Sequence, residues 1–331
     1  MDIVKKTSPP IIVILGPTAS GKSALAVRIA KKIGGEVISA DSRQVYKDMD
    51  IGTAKVTRDR SNRDRMRTNK RRIFDKHSSK FAYYSSDIRH HLLDVANPKR
   101  SFTVAQYKKL AEKAIREIIK RGRIPIVCGG TGLYIQALVD DVQIPNIPPN
   151  KKLRESLSKK SMSELFAILK KKDPRRAASI DPQNPRRLIR ALEIVEAIGK
   201  VPRFKTSPKK NVLFIGIKVP MEKLKSNIER RLKKRIHAGM LREIKTLHAS
   251  GVSWRRLHDL GLEYRYGAPF LQKKISRREF EDQLLRASVK YAKRQMTWFK
   301  KDKRIHWIKN SSEAVTLARQ RRKNPAIYGR V

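Results

Sequence analysis

Short apolar runs alternate with amphipathic segments through the first half of the chain. Residues 11–15 form the first run, and apolar residues then recur at helical spacing from 25 to 33 before a second run at 36–40. A capping box at 103–106 opens another amphipathic segment, and residues 123–128 form the next apolar run. Strands that alternate with helices predict an α/β fold, in which a parallel sheet is flanked by helices.

The second half of the chain is mostly helical. Residues 140–150 contain three prolines and predict a boundary. Beyond it, Ser161 begins a capping box and a helix is predicted over 185–198, with Gly199 as its end. We therefore predict that residues 140–199 form an inserted helical subdomain.

After this insertion the pattern returns to the sheet. We predict a strand at 211–219, long basic helices at 221–249 and 277–299, and a strand at 305–308. The predicted core is discontinuous, comprising residues 1–139 and 200–310, and residues 311–331 are predicted to be a basic C-terminal tail.

The net charge of the chain indicates what kind of partner it binds. The 331 residues include 78 Lys and Arg against 30 Asp and Glu, which gives a formal net charge of +48. Such an excess favours a polyanionic partner, most simply nucleic acid. A proteome in which all proteins are basic would produce the same composition. The basic segment 58–80 is predicted to be a surface loop that either contacts phosphates or is only solvated.

Several classes of protein are excluded or disfavoured. Cys128 is the only cysteine, so an intramolecular disulfide and a cysteine-rich zinc site are excluded, and we expect a buried thiol in a cytoplasmic protein. Apolar runs are too short for a membrane span, and the first residues lack a signal-peptide core. The pair His90 and His91 favours a structural role over metal binding. Trp298, Phe299 and Trp307 are predicted to fill the core.

The segment 16–23 carries the strongest chemical signal. It fits G-x-x-x-x-G-K-[ST] between a strand and a helix, which is typical of a loop that binds phosphate through backbone N–H groups. Lys22 would supply a positive charge and the Ser23 hydroxyl would hold Mg²⁺. The predicted phosphate-binding residues are Gly16, Pro17, Thr18, Ala19, Ser20, Gly21, Lys22 and Ser23. The loop alone leaves helicase-like ATPases and small-molecule kinases open.

Two other predicted strands end in residues that could act with this loop. Asp41 follows the second strand, where it is either a general base or magnesium partner or the start of an Asx turn. Thr131 lies in a Gly-Gly-Thr-Gly run, which permits either close approach to a ligand or a tight turn. Parallel strands bind ligands at their carboxyl ends, so these residues are predicted to converge on one site.

The motifs occur in an order that resembles a known family. They are GPTASGKS at 16–23, ADSRQVY at 40–46, MDIGTAK at 49–55, HHLLD at 90–94, GGTGLY at 129–134 and DPQNPRRLIRALE at 181–193. Together they resemble the tRNA dimethylallyltransferase, or isopentenylpyrophosphate transferase, family. The resemblance covers about residues 11–308 and implies a P-loop NTPase-like fold.

The resemblance changes what the loop is expected to bind. It implies that residues 16–23 hold the diphosphate of dimethylallyl diphosphate and that this diphosphate is the leaving group. Mg²⁺ would be bound there through Ser23, and Arg231 would face the same diphosphate. The acceptor would be the exocyclic amine, N6, of the adenosine 3′ of the anticodon in tRNA. Asp41 would be the general base and Thr131 a second catalytic residue.

The resemblance also implies an RNA surface, a monomer and extrusion of the target base from the anticodon stem-loop. The residues that match tRNA-contacting positions are Asp41, Ser42, Arg43, Gln44, Arg186, Arg187, Leu188, Ile189 and Arg190. The chain departs from the family pattern at Asn227, at Arg186 and within 258–264. The alternative is an adenylate isopentenyltransferase, which uses the same loop on a free nucleotide.

Overall fold

The computed structural model describes residues 9–59, 83–203, 207–209 and 211–323. The chain divides into two compact units, one formed by residues up to 140 together with those from 208 onward, and one formed by residues 141–207. The larger unit contains the sheet, and the smaller unit is helical.

The larger unit is built on a seven-stranded sheet in the order β3-β4-β2-β5-β1-β6-β7. Its strands are β1 (Ile11–Leu15), β2 (Gly35–Ser39), β3 (Tyr83–Ser85), β4 (Ile88–His91), β5 (Ile124–Gly129), β6 (Val212–Ile217) and β7 (Ile305–Ile308). Every neighbouring pair is parallel except β3 and β4, which are antiparallel. The predicted parallel sheet flanked by helices is confirmed, whereas the short hairpin of β3 and β4 was not predicted.

Helices cover both faces of the sheet. They are α1 (Lys22–Ile33), α2 (Val104–Lys120), α3 (Gly132–Val139), α8 (Met221–His237), α9 (Met240–Ala249), α10 (Trp254–Asp259), α11 (Leu262–Leu271), α12 (Arg277–Phe299) and α13 (Ser311–Lys323). Side chains of β1 alternate between two apolar clusters, with Val13 on one face and Ile12 on the other. The first cluster includes α2 and α3, and the second includes α1 and α13.

Two predictions about the C-terminal half are corrected. The expected helix over 221–249 is two helices, because Gly239 adopts the left-handed conformation with φ 98° between α8 and α9. The expected basic tail is helix α13 through Lys323, and its Ala314 and Ala318 are fully buried against the sheet. Arg319, Arg322 and Lys323 are exposed, whereas the buried alanines lie four residues apart, so the basic composition concealed the apolar stripe of the helix.

The smaller unit contains α4 (Lys151–Ser158), α5 (Met162–Lys172), α6 (Pro174–Ala177) and α7 (Pro185–Ile198). The predicted capping box at Ser161 and the predicted bounds of α7 are confirmed. Leu165, Leu169 and Leu188 lie in its apolar core. Glu193 is also buried there and accepts hydrogen bonds from the Asn150 amide at 2.6 Å and from the side chain of Arg154.

Smaller predictions have mixed outcomes. Phe299 is buried, but Trp298 is 41% exposed, so its assignment to the core was wrong. Cys128 is buried as predicted, and burial raises the pKa of its thiol to about 12. His91 contacts the Glu36 carboxylate at 2.7 Å, and the described part of the chain contains no cluster of metal-ligating residues.

Most of the basic 58–80 loop lies outside the described residues. Residues 51–54 form turns. No helix among the described residues is both long and apolar enough to cross a bilayer.

Candidate active site

The carboxyl ends of three neighbouring strands form the site. The sheet places β5 between β2 and β1, so the segments that follow these strands are adjacent. Ser39 pairs with Cys128, and Leu15 pairs with Gly129. Asp41, Thr131 and the phosphate loop at 16–23 follow directly from these pairs and lie at one edge of the sheet.

The phosphate loop has the backbone that its motif requires. Gly21 adopts a left-handed conformation with φ 86° immediately before α1, so the loop leads directly into the amino end of that helix, which favours anions. The Ser20 hydroxyl oxygen is buried and makes no hydrogen bond. A buried hydroxyl without a partner is costly, so a bound group with acceptor oxygens would satisfy it.

Two half-buried cations flank this loop. Lys22 donates from Nζ to the Pro17 carbonyl at 3.1 Å, and Arg231 on α8 donates to the Thr18 hydroxyl. Burial lowers the pKa of Lys22, and burial together with nearby Arg235 lowers the pKa of Arg231 to about 10. Burying two cations near one loop costs free energy that a bound polyanion offsets.

Helix α8 supports the loop through a second residue. The Asn227 side chain donates to the Ala19 carbonyl at 3.4 Å. This position departs from the family pattern, and here its amide contacts the backbone of the loop.

Asp41 forms the Asx turn that was one of the hypotheses raised from the sequence. Its Oδ1 accepts a hydrogen bond from the Arg43 amide at 2.8 Å, which is an Asx turn. That turn orients the carboxylate and does not involve Oδ2. The Arg43 amide therefore positions the carboxylate through one oxygen and leaves the other oxygen out of the turn.

Thr131 immediately precedes α3, and its hydrogen bonds connect the segments that follow β2 and β5. Its hydroxyl accepts a hydrogen bond from the Ser42 amide at 3.1 Å, and its own amide donates to the Ala40 carbonyl at 3.2 Å. The segment that carries Asp41 is therefore fixed to the second glycine-rich strand end.

Sequence reasoning missed the contribution of α12. Tyr291, Gln295 and Trp298 lie on one face of this helix and approach the site, with the Trp298 indole against Gly132 and with burial and the Asp41 charge raising the pKa of Tyr291. No sequence signal marked this face, because the burial of the polar residues Ser288 and Gln295, seven positions apart, is visible only in the structure.

The predicted RNA-contacting residues fall into two groups. Gln44 is engaged inside the protein, where its side chain contacts Ser39 and the carbonyls of residues 53 and 54, and Arg43 donates to the Asp259 carbonyl at 2.9 Å. In the smaller unit Arg186 and Arg187 are exposed. Leu188 is fully buried, so an RNA contact through its side chain is excluded.

Two further residues of that smaller unit are half-buried. Ile189 packs against the apolar core, and Arg190 pairs with the Glu193 carboxylate while donating to the Ile147 carbonyl at 2.9 Å. Arg190 therefore has a structural partner of its own.

The segment 258–264, which departs from the family pattern, also makes internal contacts. Tyr264 is fully buried and donates to Glu243 at 2.8 Å, and Glu263 pairs with Arg235 at 2.5 Å. Glu243 in turn accepts the amides of residues 50 and 51, both at 2.7 Å, and the Gly52 amide at 3.0 Å. This segment thus anchors the turns that follow Asp41.

Comparison with known proteins identifies the family. The model of the family described as IPP transferase matches residues 75–302, and that described as isopentenyl transferase matches residues 9–78. The chain belongs to the IPP transferase family. The resemblance inferred from the motifs is therefore confirmed.

Relatives in this family match nearly the whole chain. A tRNA dimethylallyltransferase 2 of Treponema denticola is 38% identical over 90% of this chain and 95% of its own length. A tRNA dimethylallyltransferase of Anoxybacillus flavithermus is 35% identical over 96% of this chain and 95% of its own length.

Solved structures agree with the fold. The full-length tRNA isopentenylpyrophosphate transferase of Bacillus halodurans aligns with a TM-score of 0.66 at 32% identity, over 97% of this chain and 98% of its own. A eukaryotic dimethylallyltransferase described as acting on tRNA aligns with a TM-score of 0.69 at 27% identity, over 88% of this chain and 70% of its own. This member of the IPP transferase family therefore has the expected P-loop-like fold.

Proposed function

We propose that this protein transfers a dimethylallyl group from dimethylallyl diphosphate to N6 of the adenosine 3′ of the anticodon in tRNA. One observation carries the proposal, namely that a phosphate loop flanked by half-buried Lys22 and Arg231 lies at the same sheet edge as Asp41 and Thr131. An anion site beside an oriented carboxylate suits a reaction that releases diphosphate and removes a proton.

The bond changes follow from this arrangement. The amine nitrogen attacks the allylic carbon, the bond from that carbon to the diphosphate oxygen breaks, and the diphosphate departs with the electron pair. The nitrogen lone pair is delocalised into the purine ring, so Asp41 assists by accepting the proton as the carbon–nitrogen bond forms. Lys22, Arg231 and the loop amides stabilise the charge that develops on the leaving group.

Mg²⁺ fits the donors of this loop. Ser23 lies in the first turn of α1 with its hydroxyl beside Cys128, and the unpartnered Ser20 hydroxyl leaves a second oxygen at the loop. Mg²⁺ is commonly bound by few protein oxygens together with substrate phosphates, so Ser23 would hold it. The ion would neutralise the diphosphate and lower the barrier to its departure.

The charge of +48 suits tRNA as the acceptor. Exposed Arg186 and Arg187 in the smaller unit are proposed to contact the tRNA. Ser42, next to the proposed general base Asp41, is proposed to contact it as well. An adenosine within an anticodon loop must leave its stack to reach a pocket of this kind. Acting on tRNA, the protein is proposed to work in the cytoplasm as a monomer.

A labelled-substrate assay tests the proposal. The protein is incubated with Mg²⁺ and dimethylallyl diphosphate labelled in the allyl group, with either an anticodon stem-loop or AMP as acceptor. We expect label in the stem-loop and not in AMP. Label in AMP would indicate the adenylate isopentenyltransferase alternative, and absence of label from both acceptors would refute the proposal.

A further inference from the structure

A single buried amide joins the two glycine-rich loops of the site. Gln295 on α12 is 6% exposed, and its Oε1 accepts a hydrogen bond from the Thr18 amide at 2.8 Å. Its Nε2 donates to the Gly130 carbonyl, also at 2.8 Å. Because the side-chain amide is planar and presents one acceptor and one donor group, it holds these loops at a fixed separation.

The fit at this bridge depends on the absence of a side chain. A Cβ on Gly130 would lie 2.3 Å from Gln295 Nε2, and a Cβ on Gly132 would lie 2.3 Å from Trp298 Nε1. Side chains of helix α12 thus lie directly against the backbone of the glycine-rich segment that follows β5. This close contact makes the bridge sensitive to small displacements.

The sheet does not supply this connection. Leu15 and Gly129 are the last residues that pair between β1 and β5, and Thr18 and Gly130 both lie beyond them. The bridge therefore acts where the strands have ended and the site begins.

Each end of the bridge leads to a predicted functional residue. The Thr18 hydroxyl accepts a hydrogen bond from Arg231, and Thr131, next to Gly130, accepts the amide of Ser42. The chain of contacts runs from the phosphate loop through Gln295 to the segment that carries Asp41.

We propose that Gln295 is a positioning residue that sets the distance between the leaving diphosphate and the general base. This inference rests on the proposed transfer reaction. Reacting atoms must lie about 3–3.5 Å apart and be aligned, and a misplacement of about 1 Å costs on the order of 10²-fold in rate. Gln295 itself touches neither the leaving group nor the proton.

The test compares Gln295→Met, which keeps the volume but removes both hydrogen bonds, with Thr297→Ala on the same helix. Thr297 is exposed, and its hydroxyl donates to the Lys293 carbonyl within the helix. We expect Gln295→Met, assayed below its melting temperature, to lower kcat about 10–100-fold with little change in KM for dimethylallyl diphosphate. Its melting temperature should fall, because the Thr18 amide and the Gly130 carbonyl lose their partner. An unchanged kcat, a change in KM alone, or an equal loss in Thr297→Ala would overturn the proposal.

Gly130→Ala gives a second route, since the added Cβ displaces the amide without removing it. We expect it to lower kcat in the natural background and to have little further effect in the Gln295→Ala background. Equal effects in both backgrounds would contradict the bridge.

Hydrogen exchange separates this inference from the proposed function. In Gln295→Met the Thr18 amide should exchange faster than in the unmodified protein, whether or not label is transferred to RNA. Unchanged exchange at Thr18 would exclude the bridge even if the transferase reaction is observed.

Discussion

The Ser42 amide donates a hydrogen bond to the Thr131 hydroxyl at 3.1 Å, across 89 positions of sequence. This contact joins the segment after β2 to the segment after β5. Since Asp41 immediately precedes Ser42, the orientation of its carboxylate depends on a residue from another strand.

Replacing Thr131 by Val removes the acceptor and leaves the Ser42 amide without its partner. We expect kcat to fall about 10–100-fold, because the carboxylate of Asp41 loses a fixed position. Thr131→Ser keeps the hydroxyl and should retain most of the rate. Single-turnover transfer of labelled dimethylallyl to a stem-loop measures both, and equal activity of the two variants would show that the hydroxyl has no role.

Asp41→Asn distinguishes the general base from the Asx turn. The amide oxygen of Asn still accepts from the Arg43 backbone, so the turn is kept while the proton acceptor is lost. We expect a loss of about 10²–10⁴-fold in turnover with unchanged RNA affinity, as measured by transfer and by filter binding. Asp41→Ala, which removes both functions, is the comparison. Normal turnover in Asp41→Asn would remove Asp41 from the mechanism.

Arg231→Met tests the half-buried cation beside the loop. A hydrogen bond to a charged group contributes roughly 1.5–3 kcal/mol, which corresponds to about 10–150-fold in affinity. We expect KM for dimethylallyl diphosphate to rise by about that factor. Lys234→Met on the same helix is the matched control, since it removes an exposed charge. If both variants behave alike, general charge rather than Arg231 controls binding.

The predictable part of this site comes from local sequence. A phosphate loop needs glycines and a lysine within eight consecutive residues, and α7 carries its own start and end signals at Asn184 and Gly199. The strand alternation then places Asp41 and Thr131 at the same edge of the sheet as the loop.

The contribution of α12 is not local. Gln295 contacts Thr18 across 277 positions, and no spacing rule joins a helix near one end of the chain to a loop near the other. Burial of side chains such as Leu188 also depends on partners that a single helix pattern does not specify. Exposure of Trp298 was not predictable for the same reason, because an aromatic residue near a helix end need not lie in the core.

Acid stability should depend on Glu36, which lies at the start of β2. Burial alone would raise its pKa, but hydrogen bonds from His91 and Arg121 outweigh burial and lower it to about 2. A depressed carboxyl pKa contributes stability above the unfolded value of about 4.3, and this contribution, on the order of 3 kcal/mol, is lost as pH falls toward 2.

We therefore expect Glu36→Gln to lower the free energy of unfolding at pH 7 and to flatten its fall between pH 5 and about 2. Urea unfolding at several pH values measures both effects. Glu222→Gln, which changes an exposed carboxylate of the same unit, is the control. A slope as steep as that of the unmodified protein would assign the acid sensitivity to other groups.

Salt dependence tests whether the net charge of +48 serves RNA binding. Contacts with phosphates release counterions, so the logarithm of the binding constant for a stem-loop should fall linearly with the logarithm of salt concentration. If Arg187 contacts a phosphate, Arg187→Gln should reduce that slope by about 1. Lys171→Gln removes another exposed charge of the smaller unit and should leave the slope nearly unchanged. A binding constant that does not change with salt in the unmodified protein would favour the alternative that all proteins of the proteome are basic. A binding surface built from many cations cannot be insensitive to salt.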